Sequence, residues 1–169
     1  MPNGGRAFRQ HGRGNPAPQG PRRPGIEERL RSQERVEYFA DPERRAIKPE
    51  LLDGKAEEVA RKMRDIPASQ LRRFFGSVMD LKRRLEVDDK LRKSPEPIRA
   101  ELAFLKASAA YAAKRLNYEQ NKNWQGDPLE LVSFVTRHRN SVKDARDFEA
   151  FARHFEAVMA FHKIYGKER

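Results

Sequence analysis

The sequence predicts an all-α protein, a compact bundle of about five helices behind a basic N-terminal tail. Three observations lead there. From about residue 50 the apolar residues recur at helical spacing, and no run alternates with period two for long enough to propose a strand. Helix stops and starts fall at regular intervals, at Pro67, at Ser94-Pro-Glu-Pro97, at Asp127-Pro128 and at Gly166. Residues 1–25 hold six Gly, five Pro and five Arg with no acid. Such a segment buries too little apolar surface to offset its ordering entropy.

The elements follow in order. Arg6, Arg9, Arg13, Arg22 and Arg23 make the first 25 residues a disordered basic tail. It either adds phosphate contacts to a neighbouring site or serves only as a solubilising extension. Residues 26–45 are charged and weakly periodic (Ile26, Leu30, Tyr38, Phe39), which suits a marginal helix. Residues 1–45 are therefore read as tail and 46–169 as the bundle domain. Glu50 to Ile66 reads as a first helix with Leu51, Leu52, Val59 and Met63 inward; Gly54 weakens its start and Pro67 ends it. Ser69 is expected to cap a long helix to about Lys93, with Leu71, Phe74, Phe75, Val78, Leu81 and Leu85 at helical spacing. Pro97 suits the first turn of the next helix, about 97–118, which is rich in alanine and allows a close neighbour. Asp127-Pro128 opens a short helix to about Asn140. A last helix starts near Asp144, carries Phe148, Phe151, Phe155 and Val158, and stops at Gly166. The connections are short, as in a bundle.

Composition removes several function classes. The 169 residues contain no cysteine, so a disulfide scaffold, a thiol nucleophile and a cysteine-ligated zinc site are excluded. No stretch approaches the roughly 18 apolar residues of a membrane span, and the N-terminus lacks a signal-like apolar core. A soluble cytoplasmic protein is expected. His11 lies in the tail, while His138, His154 and His162 lack partners at metal-ligand spacing, so packing roles are expected and no metal or cofactor is predicted. Glu149 and Glu156 share a helix side, but carboxylates on a basic protein usually form surface ion pairs. Lys90, Arg92 and Lys93 are expected to neutralise Asp88-Asp89. No phosphate-cradling loop follows a strand. An enzyme is not predicted.

The net charge of +11 attracts polyanions by a sequence-blind, salt-sensitive effect. Residues 61–93 alone hold eleven bases and five acids. On that helix Arg84 has Asp80 and Arg83 has Glu86 at ion-pair spacing. Arg72 and Arg73 have no acid three or four residues away, so their own helix leaves them unneutralised. On the alanine-rich helix Lys106 and Lys114 also lack local acids, and Arg115 has only Glu119, beyond the helix end. The candidate phosphate contacts are Arg72, Arg73, Lys106, Lys114 and Arg115. Phe74, Phe75, Phe104, Phe134, Phe148, Phe151 and Phe155 are expected mostly in the core, with Tyr111, Tyr118 and Trp124 as the exposed aromatics. No base-stacking platform is recognisable, which favours backbone binding without base preference.

Three segments, in order over roughly residues 55–166, resemble the small subunit of the type III-A CRISPR effector, the Csm complex. Ala68-Ser-Gln-Leu-Arg-Arg-Phe-Phe75 is similar to that family's Ser-Gln-Ile-Arg-Lys-aromatic helix start. Glu101-Leu-Ala-Phe-Leu-Lys-Ala-Ser-Ala-Ala-Tyr-Ala-Ala-Lys-Arg115 resembles its Leu-Lys, Tyr-Ala, Arg helix. Phe148-Glu-Ala-Phe-Ala-Arg-His-Phe-Glu-Ala-Val-Met-Ala-Phe-His-Lys163 resembles its terminal helix. The resemblance implies a non-catalytic subunit stacked in several copies along the guide RNA–target RNA duplex, touching backbone while other subunits of the complex carry catalysis. Arg72, Arg73, Lys114 and Arg115 match the family's basic positions. The long Arg/Gly/Pro tail departs from the family pattern. A free-standing basic helical protein, ribosome- or nucleoid-associated, is the alternative; a helix-turn-helix regulator fits the long helices poorly.

Overall fold

The computed structural model describes residues 14, 22–120 and 123–167. Among them are five helices of nine residues or more: α3 (Gly54–Lys62), α4 (Ala68–Val87), α6 (Pro95–Arg115), α7 (Glu130–Ser141) and α8 (Ala145–Tyr165). Three short ones accompany them: α1 (Ile26–Leu30), α2 (Pro49–Leu52) and α5 (Asp89–Lys93). The described residues hold no strand, only one antiparallel β-bridge between Phe39 and Ile47. The all-α bundle is the one the periodicity predicts.

α8 is the central helix. Asp144 starts it by accepting from the Asp147 amide at 3.0 Å, and Arg44 clamps both carboxylates at 2.7 Å. Phe148, Phe151, Phe155 and Val158 are fully buried on it, with α3 and α4 packed against it. α7 adds Phe134 and His138, whose rings lie 4.5 Å apart, and Phe134 also meets Phe155 at 5.1 Å. Each such phenylalanine stabilises the fold by roughly 1.5–3 kcal/mol. α6 packs chiefly on α7 and buries Leu102, Leu105, Ala109 and Ala113. α8 stops where expected, but Gly166 has φ −67° and needs no left-handed backbone. Its glycine is required by close approach, since a Cβ would fall 2.6 Å from the His162 carbonyl oxygen.

Several expected boundaries move, each for a local reason. Asp53, at φ −127° and ψ −107°, separates α2 from α3 within the single helix expected over 50–66. Ser69 does not cap α4: Pro67 is the N-cap, its carbonyl accepting from Gln70 and Leu71, and Ser69 is already helical. The helix expected to reach Lys93 breaks at Asp88, whose extended backbone lets its carboxylate accept from the Leu91 amide at 3.0 Å and cap α5 instead.

Residues 1–13 and 15–21 of the basic tail lie outside the described residues. Residues 22–45 lie against the bundle, with only Ile26–Leu30 helical, so the helix expected over 26–45 is one turn long. Side-chain bonds hold the remainder as a strap over α7. Arg29, 8% exposed, donates to the Pro24 carbonyl (2.9 Å), to Asp127 (2.7 Å) and to Ser133 (3.0 Å). The Val36 amide donates to Ser141 at 2.6 Å, and Asn140 donates to the Ser32 carbonyl at 2.8 Å. Tyr38, buried, meets His138 Nδ1 at 2.7 Å.

Candidate nucleic-acid interface

The two arginines at the start of α4 are placed by the core residues on either side of them. Leu71 and Phe74 are buried, so Arg72 and Arg73 point outward and about 100° apart around the helix. Both are exposed and make no ion pair with any described residue. α6 ends in a Schellman turn: Asn117 takes φ +55°, its amide bonds the Lys114 carbonyl, and the Tyr118 amide bonds the Ala113 carbonyl. That turn folds Tyr118 back into the core, where its hydroxyl donates to Gln70 of α4 at 2.9 Å. The link brings the end of α6, with exposed Lys114 and Arg115 that make no ion pair among the described residues, to the end of the bundle where α4 begins.

Four of the five candidate cations are thus gathered at one end. Lys106 is not among them. It lies eight residues, about 12 Å of helix, before Lys114, and is half-buried; burial, then the nearby charge of Arg139, holds its ammonium below the ordinary lysine range.

Nearby acids are largely engaged. Burial alone would raise the Asp65 carboxyl, but Lys167 at 2.6 Å and the amides of Gly126 and Gln125 (2.7 and 2.8 Å) hold it below the usual carboxylate range. Asp127 is held by Arg29. Arg23 is at the same end, donating to the Gly126 carbonyl at 2.9 Å, while Glu119 is an exposed carboxylate beside Gly25.

Several charge assignments change. Arg83 pairs with Asp80 (3.1 Å) and Lys82 with Glu86 (3.2 Å), leaving Arg84 without an ion pair among the described residues, so the expected Arg84–Asp80 and Arg83–Glu86 pairs are absent. Asp80 meets the nearer of two competing arginines, and the i,i+4 lysine captures Glu86. Asp88 is a helix cap, and Arg92 reaches across to Glu149. Glu156 pairs with Arg153 at 3.9 Å. Sequence reasoning did not single out Lys163, exposed near the end of α8 and without an ion pair among the described residues; its last-turn position beside buried His162 was the available signal.

The histidines of the bundle are packing residues. His154 Nδ1 contacts the Leu51 carbonyl, and His162 Nε2 lies 3.2 Å from that of Met63. Burial lowers all three bundle histidines, with His154 brought to about 4. No described group of His, Asp or Glu could hold a metal ion. Among the aromatics, Tyr111 is exposed as expected, but Tyr118 is 5% exposed and Trp124 packs edge-on against it at 4.9 Å. Phe104, expected in the core, is 68% exposed. Only one side of α6 meets α7, and Phe104 and Tyr111, seven residues apart, share the other side.

Exposed cations that make no ion pair among the described residues, gathered at one end of the bundle, can hold phosphate groups. Residues 46–168 match the family model described as Csm2 Type III-A. Comparisons with curated proteins and with solved structures find no match. No described helix is long and apolar enough to cross a membrane.

Proposed function

Because the chain belongs to the Csm2 type III-A family, and is thereby a subunit of a type III-A CRISPR effector complex, we propose that it is the non-catalytic RNA-binding assembly subunit of that complex. In this reading it works in the cytoplasm and contacts the backbone of the guide RNA–target RNA duplex without base specificity. It stacks in several copies beside the other subunits. The observation that carries the RNA contact is the gathering of Arg72, Arg73, Lys114 and Arg115, all without ion pairs among the described residues, at one end of the bundle. Arginine forks onto a phosphate and lysine adds a point charge. The exposed, alanine-rich side of α6 with Phe104 and Tyr111 supports stacking of copies, since small side chains let a neighbour approach. Lys106 stands apart from the cluster and has the weaker support.

The test is fluorescence anisotropy of a labelled RNA duplex with the Arg72→Glu/Arg73→Glu variant. Binding at low salt falls, and the slope of log K against log salt drops by about 2, one phosphate contact per arginine. The melting temperature stays unchanged, because neither side chain is part of the core. A folded double variant that binds like the parent refutes the site. The five arginines of residues 1–25 favour a second reading, a free-standing ribosome- or nucleoid-associated binder. Under it, removing residues 1–25 abolishes binding and duplex DNA competes as well as RNA.

A further inference from the structure

Arg72 and Arg73 are consecutive, yet they face different neighbours. Arg73 is one turn beyond Gln70, the residue bonded to the end of α6. Arg72 instead faces the end of α8 across a cleft of about 650 Å³ lined by Ala68, Arg72, Met159, His162, Lys163 and Lys167. Ala68 and Arg72 are four apart on α4, and Met159 and Lys163 are four apart on α8. Each pair forms a ridge on its helix, and the two ridges face one another.

The charges in this cleft are unbalanced. Arg72 and Lys163 are exposed, and neither makes an ion pair among the described residues. Lys167 is held by Asp65 at 2.6 Å. His162 is buried and lowered by that burial, so it adds no charge near neutral pH. Among the described residues no carboxylate lines the cleft. Two like charges facing across such a space repel, and an anion placed between them reverses the sign of that interaction. Ala68 at one wall and half-buried Met159 at the other leave an open, partly apolar floor. The volume exceeds a phosphate and admits the attached sugar.

We propose that this cleft is a second phosphate-binding subsite, in which Arg72 and Lys163 grip one phosphate of a bound RNA strand while Arg73 serves a neighbouring one. The assignment rests on the RNA-backbone reading above and extends it from α4 onto α8. It gives Lys163 a role of its own and separates two adjacent arginines into two contacts.

The experiment compares the full chain with Lys163→Glu, Lys163→Arg, Arg72→Glu and the Arg72→Glu/Lys163→Glu pair, using the same labelled RNA duplex over a range of KCl concentrations. Lys163→Glu weakens binding several-fold and lowers the salt slope by about 1, while Lys163→Arg binds like the parent. The pair loses less than the product of the two single losses, because both residues hold one phosphate. Circular dichroism melts check that each variant is folded. Parent-like binding by Lys163→Glu overturns the subsite, and so does a full product of losses in the pair, the signature of independent surface charges. A parent chain that fails to bind the duplex at all overturns the RNA reading itself, a result distinct from either.

Discussion

Acidification from pH 7 to pH 5 is expected to remove about 2 kcal/mol of stability through His154, with His138 adding in the same direction. His138 is completely buried between Tyr38, Phe134 and Phe151, and burial holds its imidazole well below the ordinary histidine range, with His154 and Arg137 adding to the effect. His154 is brought to about 4, again first by burial. An unfolded histidine titrates near about 6.5. A folded-state pKa below that value means the unfolded chain takes the proton first, so stability is full above about pH 6.5 and declines as pH falls toward the folded value. At pH 5 His154 costs about 2 kcal/mol by this linkage, and His138 adds in the same direction. His162, also lowered by burial, adds in the same direction. Against a total stability of about 5–15 kcal/mol the loss is large.

The carboxylates held low by partners, Asp65 and Asp144 among them, lose their contribution only below the unfolded carboxylate range near about 4, outside this window. The assay is urea unfolding followed by circular dichroism at half-unit pH steps. The midpoint falls steadily from about pH 6.5 downward. In His154→Gln, which keeps a donor toward the Leu51 carbonyl, the pH slope shrinks by about one proton's worth. A midpoint unchanged between pH 7 and pH 5 refutes the argument that these histidines are held neutral by burial.

Two further stability predictions accompany the RNA-binding ones. Arg29→Ala leaves Asp127 and Ser133 without their donor, and the strap over α7 loses its anchor. Stability falls by about 3 kcal/mol in urea unfolding, and proteolysis within residues 22–36 accelerates, since local opening becomes easier. In Gly126→Ala the new Cβ falls 2.2 Å from the Lys62 carbonyl oxygen, the atom that accepts from the Asp127 amide at 2.7 Å. The loop must shift, lowering stability by about 2 kcal/mol and the melting temperature by about 6 °C.

The sequence made some of this legible because the relevant interactions are local. Asp144 at the start of α8 and the stripe Phe148, Phe151, Phe155 read correctly, since a cap and an i,i+3/i+4 pattern involve one turn of chain. Arg72 and Arg73 could be recognised as unneutralised for the same reason: no acid lies within a helical turn of either. Local reasoning failed where two local options competed. Asp80 had two arginines within reach and took Arg83, and Asp88 could extend a helix or cap the next and capped it.

Phe104 shows where periodicity stops being informative. Its spacing is that of a core residue, but burial requires a neighbour on that side, and Phe104 is left 68% exposed while α6 packs chiefly on α7. By itself the chain determined the helices, the absence of thiol chemistry, and that their own helix leaves Arg72 and Arg73 unpaired. Only the tertiary structure decided that the starts and ends of α4, α6 and α8 meet. That meeting sets Lys114 and Arg115 at the end of the bundle where Arg73 lies, turns Arg72 toward Lys163, and leaves Lys106 apart. Distances between charges on different helices follow from packing against a shared core, and no spacing along the chain encodes them.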